Sequence, residues 1–191
     1  MNGNLACQEE IREELIQGQV VAMSPRPGFN HNHISFNIAN LFANFLRGHT
    51  CTVIADGTDL YLDEDNLFVP DMMVVCDRNK IRQDGVHGAP DLVVEVLSPS
   101  TSKRDKTVKK DVYAKHGVGE YWLVDPMGKS VELYLLEDGG YVLHNVCTVH
   151  PDWMLAGMTP EERSAVETTF RCHLYEEFEL SLDEIFSGMV E

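Results

Sequence analysis

The sequence predicts one α/β domain in which a mixed β-sheet is flanked by helices. Three observations lead to this fold class. The chain has 191 residues with 43% hydrophobic content, which suits a single core over 1–191. Two segments repeat apolar residues at helical spacing. Several short β-like runs separate and follow these segments, an order typical of layered α/β domains.

In the first half of the chain, the helix predicted at 30–47 has the strongest signal. Its apolar residues, from Ile34 to Phe45, recur on one helical face. Pro70 cannot donate to a sheet ladder, so the strand around it is predicted to be an edge or bulged strand there. The other predicted elements are a helix at 5–17, a strand at 19–23, a loop at 24–28, strands at 51–55, 59–62 and 67–76, and a turn at 63–66.

In the second half, the run DLVVEVL at 91–97 is the most β-like segment. A helix at 102–116 follows it, and Gly117 is predicted to be the C′ residue that ends this helix. The remaining predictions are a polar segment at 77–90, a strand at 120–124, a hairpin of 131–136 with 141–144, and a helical or irregular extension at 151–191 with a last short helix near 182–186.

The cellular location and the state of the cysteines are predicted from the pattern of residues along the chain. No run of about 18 apolar residues occurs, so no membrane helix is expected. The acidic N-terminal segment has no apolar signal region, and we expect a cytoplasmic protein. The cysteines are scattered, odd in number and without C-x-x-C spacing, which predicts free thiols rather than disulfides or a zinc site. They are Cys7, Cys51, Cys76, Cys147 and Cys172.

The charge distribution bears on a nucleic-acid function. The formal net charge is -16, which disfavours contacts with phosphates. Six of the 15 basic residues nevertheless fall within 103–115, so a basic locus lies on an acidic body. They are Lys103, Arg104, Lys106, Lys109, Lys110 and Lys115. The alternative is an ordinary solvated helix face.

Two carboxylates stand where the strand pattern calls for apolar residues. Asp71 follows Val69-Pro70, and Glu95 interrupts LVVEVL. An unpaired buried carboxylate is unfavourable by several kcal/mol, so a cation, a metal or protonation has to compensate. Oxygen ligands that converge at one point suit Mg²⁺ or Mn²⁺. The alternatives are plain salt bridges with Lys or Arg, and strand faces exposed to water.

The helix at 102–116 offers a lysine to these acids. At about 100° per residue, Lys109 falls within the apolar arc, whereas Lys106 and Lys110 point toward solvent or phosphate. A lysine facing the acids could orient an attacking water or stabilise charge on a phosphorane, or it could simply neutralise Glu95. His31 lies on the core face of its helix, where it is either a site residue or a packed histidine.

These residues match a known family. The stretches Val69–Asp71, Gly88–Thr101, Arg104–Lys106 with Lys109, and Tyr113–Pro126 closely resemble the bacterial "putative restriction endonuclease" domain of the PD-(D/E)XK superfamily. The resemblance spans about residues 10–145 and includes Glu14 and His31. Leu97 stands where the superfamily motif has its lysine, and the resemblance implies that this lysine has moved to Lys109.

The resemblance implies a restriction-endonuclease-like core and a Mg²⁺- or Mn²⁺-dependent endonuclease acting on DNA. Asp71, Glu95 and the carbonyl of Val96 would hold the metal, with Lys109 as the catalytic lysine. Glu14 and His31 would be accessory residues, and Arg104, Lys106 and Lys110 would bind phosphates. A homodimer is also implied, and no membrane partner. Two alternatives remain at this point: an inactive binding or scaffold protein on the same fold, and a hydrolase of small phosphorylated molecules.

Overall fold

The computed structural model describes residues 12–23, 27–55 and 57–190. Its strands are β1 (Glu13–Ile16), β2 (Gln19–Ala22), β3 (Thr52–Ala55), β4 (Leu60–Asp63), β5 (Asn66–Phe68), β6 (Met72–Val75), β7 (Ile81–Arg82), β8 (Gly85–His87), β9 (Leu92–Val96), β10 (Glu120–Asp125), β11 (Ser130–Glu137), β12 (Gly140–Thr148), β13 (Thr169–Cys172) and β14 (Tyr175–Ser181).

Five helices accompany these strands in the described part of the chain. They are α1 (Phe29–Phe45), α2 (102–116), α3 (Asp152–Gly157), α4 (Pro160–Ser164) and α5 (Leu182–Ile185), with a 3-10 turn at Arg78–Lys80. We call α2 the continuous helix made of Ser102–Arg104, a π-helical stretch Asp105–Lys109, and Lys110–His116. Gly117 ends α2 with φ 86°, the left-handed conformation expected of a C′ glycine.

A mixed six-stranded sheet forms the centre of the protein, in the order β12-β11-β10-β9-β6-β3. Strands β9 and β10 run parallel, and the other neighbours are antiparallel. The parallel pair needs a crossover connection, and α2 provides it. The predicted class, a mixed sheet flanked by helices, is confirmed.

The central sheet is buried on both faces. On one face, Val94 and Trp122 pack against α1 and the C-terminal β13–β14 hairpin. On the other face, Val93 and Tyr121 pack against α2 and a second six-stranded sheet, ordered β2-β1-β5-β4-β8-β7. Because β9 has a layer on each side, its run of apolar residues is nearly continuous. Glu95 faces the second sheet and α2.

Two predictions about the first half are wrong, that of a helix at 5–17 and that of a single strand at 67–76. The segment predicted as the end of a helix at 5–17 forms strand β1 over Glu13–Ile16, and residues 1–11 lie outside the described residues. Apolar side chains at Leu15 and Ile16 pair with β2 and β5, and this tertiary pairing overrides the helical pattern. Part of the predicted 24–28 loop, residues 24–26, also lies outside the described residues.

The predicted strand at 67–76 is two strands in two different sheets. β5 belongs to the second sheet and β6 to the central one, with Pro70 and Asp71 in the break between them. Neither strand is an edge strand: β5 lies between β1 and β4, and β6 between β9 and β3. Pro70 ends the pairing, so the chain leaves one sheet there and enters the other.

The C-terminal region contains more strand than predicted. Besides the short helices, it forms the β13–β14 hairpin, whose Phe170 and Leu180 are buried against the central sheet. The hairpin of β11 with β12 and the last short helix, α5, agree with prediction.

The prediction of free thiols is wrong for two cysteines. Cys51 and Cys76 form a disulfide, because the antiparallel pairing of β3 with β6 places the residues that flank Thr52 and Val75 beside each other. Cys147 and Cys172 are free and buried. No helix in the described part of the chain is long and apolar enough to cross a membrane.

Candidate functional site

Strands β6 and β9 bring the two predicted acids to the same end of the central sheet. Met72 pairs with Val94, and one further step in this antiparallel register sets Asp71 opposite Glu95. Asp71 lies just before β6, in the break that Pro70 creates. The crossing of the chain between the two sheets therefore positions this carboxylate at the sheet end.

Asp71 is held by backbone and by α1. Its Oδ2 accepts a hydrogen bond of 2.7 Å from the Val96 N–H and lies 3.3 Å from His31 Nε2. The Ser35 hydroxyl donates to the Asp71 carbonyl. Burial lowers the pKa of His31, but the bond to Asp71 and its charge outweigh this effect, so the pKa is raised. His31 also contacts the Val96 backbone, so Asp71, Val96 and His31 meet at one point.

Glu95 lies deeper and is bonded to α2. Its Oε1 accepts from Lys109 Nζ at 3.0 Å and from the Tyr113 hydroxyl at 2.9 Å. Glu95 and Lys109 are almost fully buried, with 3% and 5% of their surfaces exposed. Burial raises the pKa of Glu95 well above its usual value, and the attraction of Lys109 offsets only part of that increase.

Lys109 is the centre of a group of three carboxylates. Its Nζ lies 2.8 Å from Glu14 Oε1, 3.0 Å from Glu95 Oε1 and 3.7 Å from Asp105 Oδ1. Burial lowers the pKa of Lys109, but these three acids outweigh that effect and raise it. Lys109 is therefore a permanent cation, and it offers the site its charge and its hydrogen-bond donors.

Glu14 and Asp105 complete the surroundings of Lys109. Glu14 lies on β1, and its Oε1 also accepts from the Val69 N–H at 3.2 Å. Strand β1, and not the helix predicted at 5–17, carries Glu14. Asp105 is 2% exposed, and its Oδ1 is a buried oxygen without a hydrogen-bond partner in the structure. Burial raises the pKa of Asp105.

The acids of this site outnumber its bases, which is the test of whether a metal ion fits here. Among the described residues, the site has four carboxylates, those of Glu14, Asp71, Glu95 and Asp105, and one lysine, and His31 adds a further positive charge only when it is protonated. Buried negative charge in excess requires a compensating cation. With oxygen donors and a buried oxygen that lacks a partner, the residues fit a hard divalent cation.

The predicted metal ligands are two carboxylates and one carbonyl, of Asp71, Glu95 and Val96. Within the described residues, no set of three or more His, Cys, Asp or Glu side chains is spaced to share one metal ion. The predicted ligand set does not need such a group, because its third member is a backbone oxygen.

Lys106 and Lys110, two of the residues predicted to bind phosphate, have partners within the protein. Lys106 Nζ bonds Glu132 at 2.8 Å, and Lys110 Nζ lies 3.7 Å from the centre of the Tyr134 ring. Both contacts tie α2 to β11, on a different side of the helix from Lys109. Arg104 is half-buried near the start of α2.

Sequence reasoning missed two residues of the site, Asp105 and Tyr113. Tyr113 follows Lys109 by four and Asp105 precedes it by four, and side chains at this spacing lie on one helical face. The spacing was therefore a usable signal. Asp105 was not identified because it lies within the basic run of α2, where an acid is expected to be a surface residue. Tyr113 fits a hydrophobic core as well as a site.

Known proteins similar to this chain were identified by sequence and by fold. The family model described as "Uma2: Putative restriction endonuclease" matches residues 4–166. The uncharacterized protein slr1290 of Synechocystis sp. is 32% identical over 165 residues, which cover 83% of this chain and 80% of that protein. A crystal structure of a "putative nuclease belonging to DUF820" from Anabaena variabilis superposes with a TM-score of 0.64 at 22% identity, covering 93% of this chain and 91% of the other. The last similarity establishes the fold.

Proposed function

Since the chain belongs to the Uma2 family of "putative restriction endonucleases", we propose that it is a metal-dependent endonuclease of the PD-(D/E)XK type that hydrolyses DNA phosphodiester bonds. The observation that carries this proposal is the excess of buried acids around Lys109 at one end of the central sheet. Burial and close contacts shift the pKa values of Glu95, Asp105 and Lys109, and ionisable groups with shifted pKa values cluster at functional sites.

Asp71, Glu95 and the Val96 carbonyl are the proposed ligands of Mg²⁺ or Mn²⁺. When bound, such an ion supplies Lewis-acid stabilisation of a phosphate oxygen and a water of lowered pKa. The chain contributes orientation: Asp71 is fixed by the Val96 N–H, and Glu95 by Tyr113 and Lys109.

Lys109 is the proposed catalytic lysine. Its raised pKa keeps it charged, so it does not act as a base. It donates hydrogen bonds that orient the attacking water or stabilise the charge that develops on the phosphate. Glu14 holds Lys109 from the side of β1, and His31 holds Asp71 from α1.

DNA is the proposed partner, and its backbone is bound by Arg104, Lys106 and Lys110. To bind phosphate, Lys106 has to leave Glu132 and Lys110 has to leave Tyr134. With a net charge of -16, affinity for DNA is expected to be weak and to fall steeply with added salt. We also propose a homodimer, which would present one site to each strand of a duplex.

Nicking of supercoiled DNA in the presence of Mg²⁺ or Mn²⁺ tests this function. We expect nicking by the wild-type protein and a loss of at least about 100-fold in Asp71→Asn and Glu95→Gln, the scale expected when a catalytic group is removed. The matched control is Asp91→Asn. This carboxylate lies at the opposite end of the same sheet, where it accepts from the Cys76 N–H, and its loss is expected to leave nicking unchanged.

A scaffold on the same fold is the alternative that one observation favours. Lys109 already has carboxylates on three sides, so the cluster also resembles a buried ion-pair network. Wild-type protein that binds neither metal nor nucleic acid supports the scaffold. Metal binding with cleavage of small phosphate esters, but not of DNA, supports a small-molecule hydrolase, which the net charge of -16 would accommodate.

A further inference from the structure

Asp105 carries a buried polar atom and is not among the proposed ligands of the cation. Its Oδ1 is fully buried and has no hydrogen-bond partner in the structure. Such groups are rare in folded proteins, and each one calls for an explanation. Burial raises the pKa of Asp105, Lys109 and a hydrogen bond with Thr101 offset part of that effect, and the charges of Asp71 and Glu14 add to it.

The nearest cation is just out of reach of this oxygen. Lys109 Nζ lies 3.7 Å from Asp105 Oδ1, roughly 1 Å beyond a normal hydrogen bond. The ammonium group has three donors, and Glu14 and Glu95 accept at 2.8 Å and 3.0 Å. Lys109 therefore has one donor beyond those that bond Glu14 and Glu95.

The helix carries both residues in an unusual turn. Residues Asp105–Lys109 form the π-helical stretch of α2. Such wide turns occur mostly as single turns within α-helices and frequently at functional sites. Here the stretch begins at one buried charged residue and ends at the other, so the geometry that sets their separation is specific to this turn.

We propose that Asp105 is a positioning residue that serves as the reserve acceptor for Lys109. When the charge of Glu95 is neutralised, the Lys109 ammonium shifts from Glu95 to Asp105 and remains at the site. Tyr113 keeps its bond to Glu95 Oε1, so Glu95 stays in place while Lys109 moves.

The functional consequence rests on the proposed function. A cation bound by Glu95 would neutralise that carboxylate, and Lys109 would then be repelled by the cation as well. Asp105 would hold Lys109 close to the cation, near enough to donate to water or phosphate. Without Asp105, the lysine would lose its second acceptor when the cation binds.

Crystal structures of two variants test the exchange of acceptors without any metal. In Glu95→Gln, position 95 is neutral and we expect Lys109 Nζ within hydrogen-bond distance of Asp105 Oδ1. In the control Tyr113→Phe, Glu95 stays charged and loses the hydrogen bond from the Tyr113 hydroxyl. The separation of 3.7 Å between Lys109 Nζ and Asp105 Oδ1 is expected to persist. A Lys109 that stays on residue 95 in Glu95→Gln overturns the proposal.

Urea unfolding provides a second readout if crystals fail. Asp105→Asn should lower the folding equilibrium constant roughly tenfold more in the Glu95→Gln background than in the wild type, a coupling in the range for residues of one network. Equal effects in both backgrounds overturn the proposal. Release of like-charge repulsion could also couple the two positions, but it would leave Lys109 in place in the crystal.

Calorimetry with Mn²⁺ separates this inference from the proposed function. We expect Asp105→Asn to raise the Mn²⁺ dissociation constant about tenfold, a typical coupling between linked sites. An unchanged constant contradicts the link between Asp105 and the cation. Wild-type protein that binds no Mn²⁺ contradicts the proposed function, and the crystal structures then decide the exchange of acceptors by themselves.

Discussion

The two ends of the central sheet differ in the partners of their buried carboxylates. At the end with the candidate site, Glu95 shares one lysine with Glu14 and Asp105. At the opposite end, the donors that the described residues offer to Glu120 on β10 are all neutral. Its oxygens receive the Trp122 indole N–H and the N–H groups of His173 and Leu174, at 2.7–3.0 Å.

The difference distinguishes Glu120, which neutral donors of the fold hold, from the acids of the candidate site, which share one lysine. Glu120 is 2% exposed, yet each of its oxygens has donors, and these bonds fix the β13–β14 turn to the central sheet. Nearby, Asp91 accepts from the Cys76 N–H and a disulfide joins Cys51 to Cys76. At this end, the carboxylates of Glu120 and Asp91 have hydrogen-bond donors within the protein. The site end retains surplus charge, which is the property that a cation would use.

Lys109→Met should have the largest effect on stability. It leaves Glu14, Glu95 and Asp105 buried without a counter-charge, and breaking a buried ion pair in this way costs about 3–5 kcal/mol. Urea unfolding measures the loss. Millimolar Mg²⁺ should restore part of it in this variant, because the cation replaces the missing charge. A loss below about 1 kcal/mol would show that the acids are protonated or solvated instead.

The disulfide at the end with Glu120 should contribute the next largest amount. The cysteines are separated by 25 residues, and a cross-link over such a loop contributes about 3 kcal/mol. Cys51→Ser with Cys76→Ser, compared with wild type in urea, measures this contribution. Mn²⁺ affinity should not change. An altered affinity would mean that the two ends are coupled through β6.

Glu120→Gln should lower the free energy of unfolding by about 1–3 kcal/mol. The amide keeps one acceptor but turns an NH₂ group toward backbone N–H donors, which leaves a buried donor unsatisfied. Urea unfolding gives the change. Nicking and Mn²⁺ binding serve as controls and are expected to match wild type at temperatures where the variant is folded.

Asp71→Asn should have the smallest effect on stability, below about 1 kcal/mol. The amide oxygen can still accept from the Val96 N–H, and the loss of one negative charge relieves repulsion within the site. Thermal or urea unfolding of the metal-free protein measures it. A much larger loss would make Asp71 a structural acid like Glu120.

The sequence revealed the parts of this contrast that break a local pattern. Asp71 and Glu95 were identified because acids interrupt apolar strands there. The helical periodicity of α2 favoured Lys109 over Lys106 and Lys110. Glu120 was not recognised as buried, because it stands at the start of its strand, where an acid is ordinary. Its two backbone donors come from a hairpin more than 50 residues away, and sequence periodicity contains no information about that contact.

The remaining errors concern long-range pairing. Whether 13–16 forms helix or strand depends on β2 and β5, and the Cys51–Cys76 bond depends on the register of β3 with β6. The break at Pro70 was assigned to one bulged strand, because a sequence does not state that the chain changes sheets. That break is also what places Asp71 at the sheet end.

Calorimetric titration of Mn²⁺ into the wild type, Asp71→Asn and Asp91→Asn tests most directly whether the two ends differ as described. The variants remove one carboxylate from each end of the same sheet. We predict that wild type and Asp91→Asn bind Mn²⁺ with equal affinity and that Asp71→Asn binds at least about 100-fold more weakly, a difference of about 2.7 kcal/mol. Equal affinity in all three proteins, or no binding by the wild type, would contradict a metal site at Asp71 and Glu95.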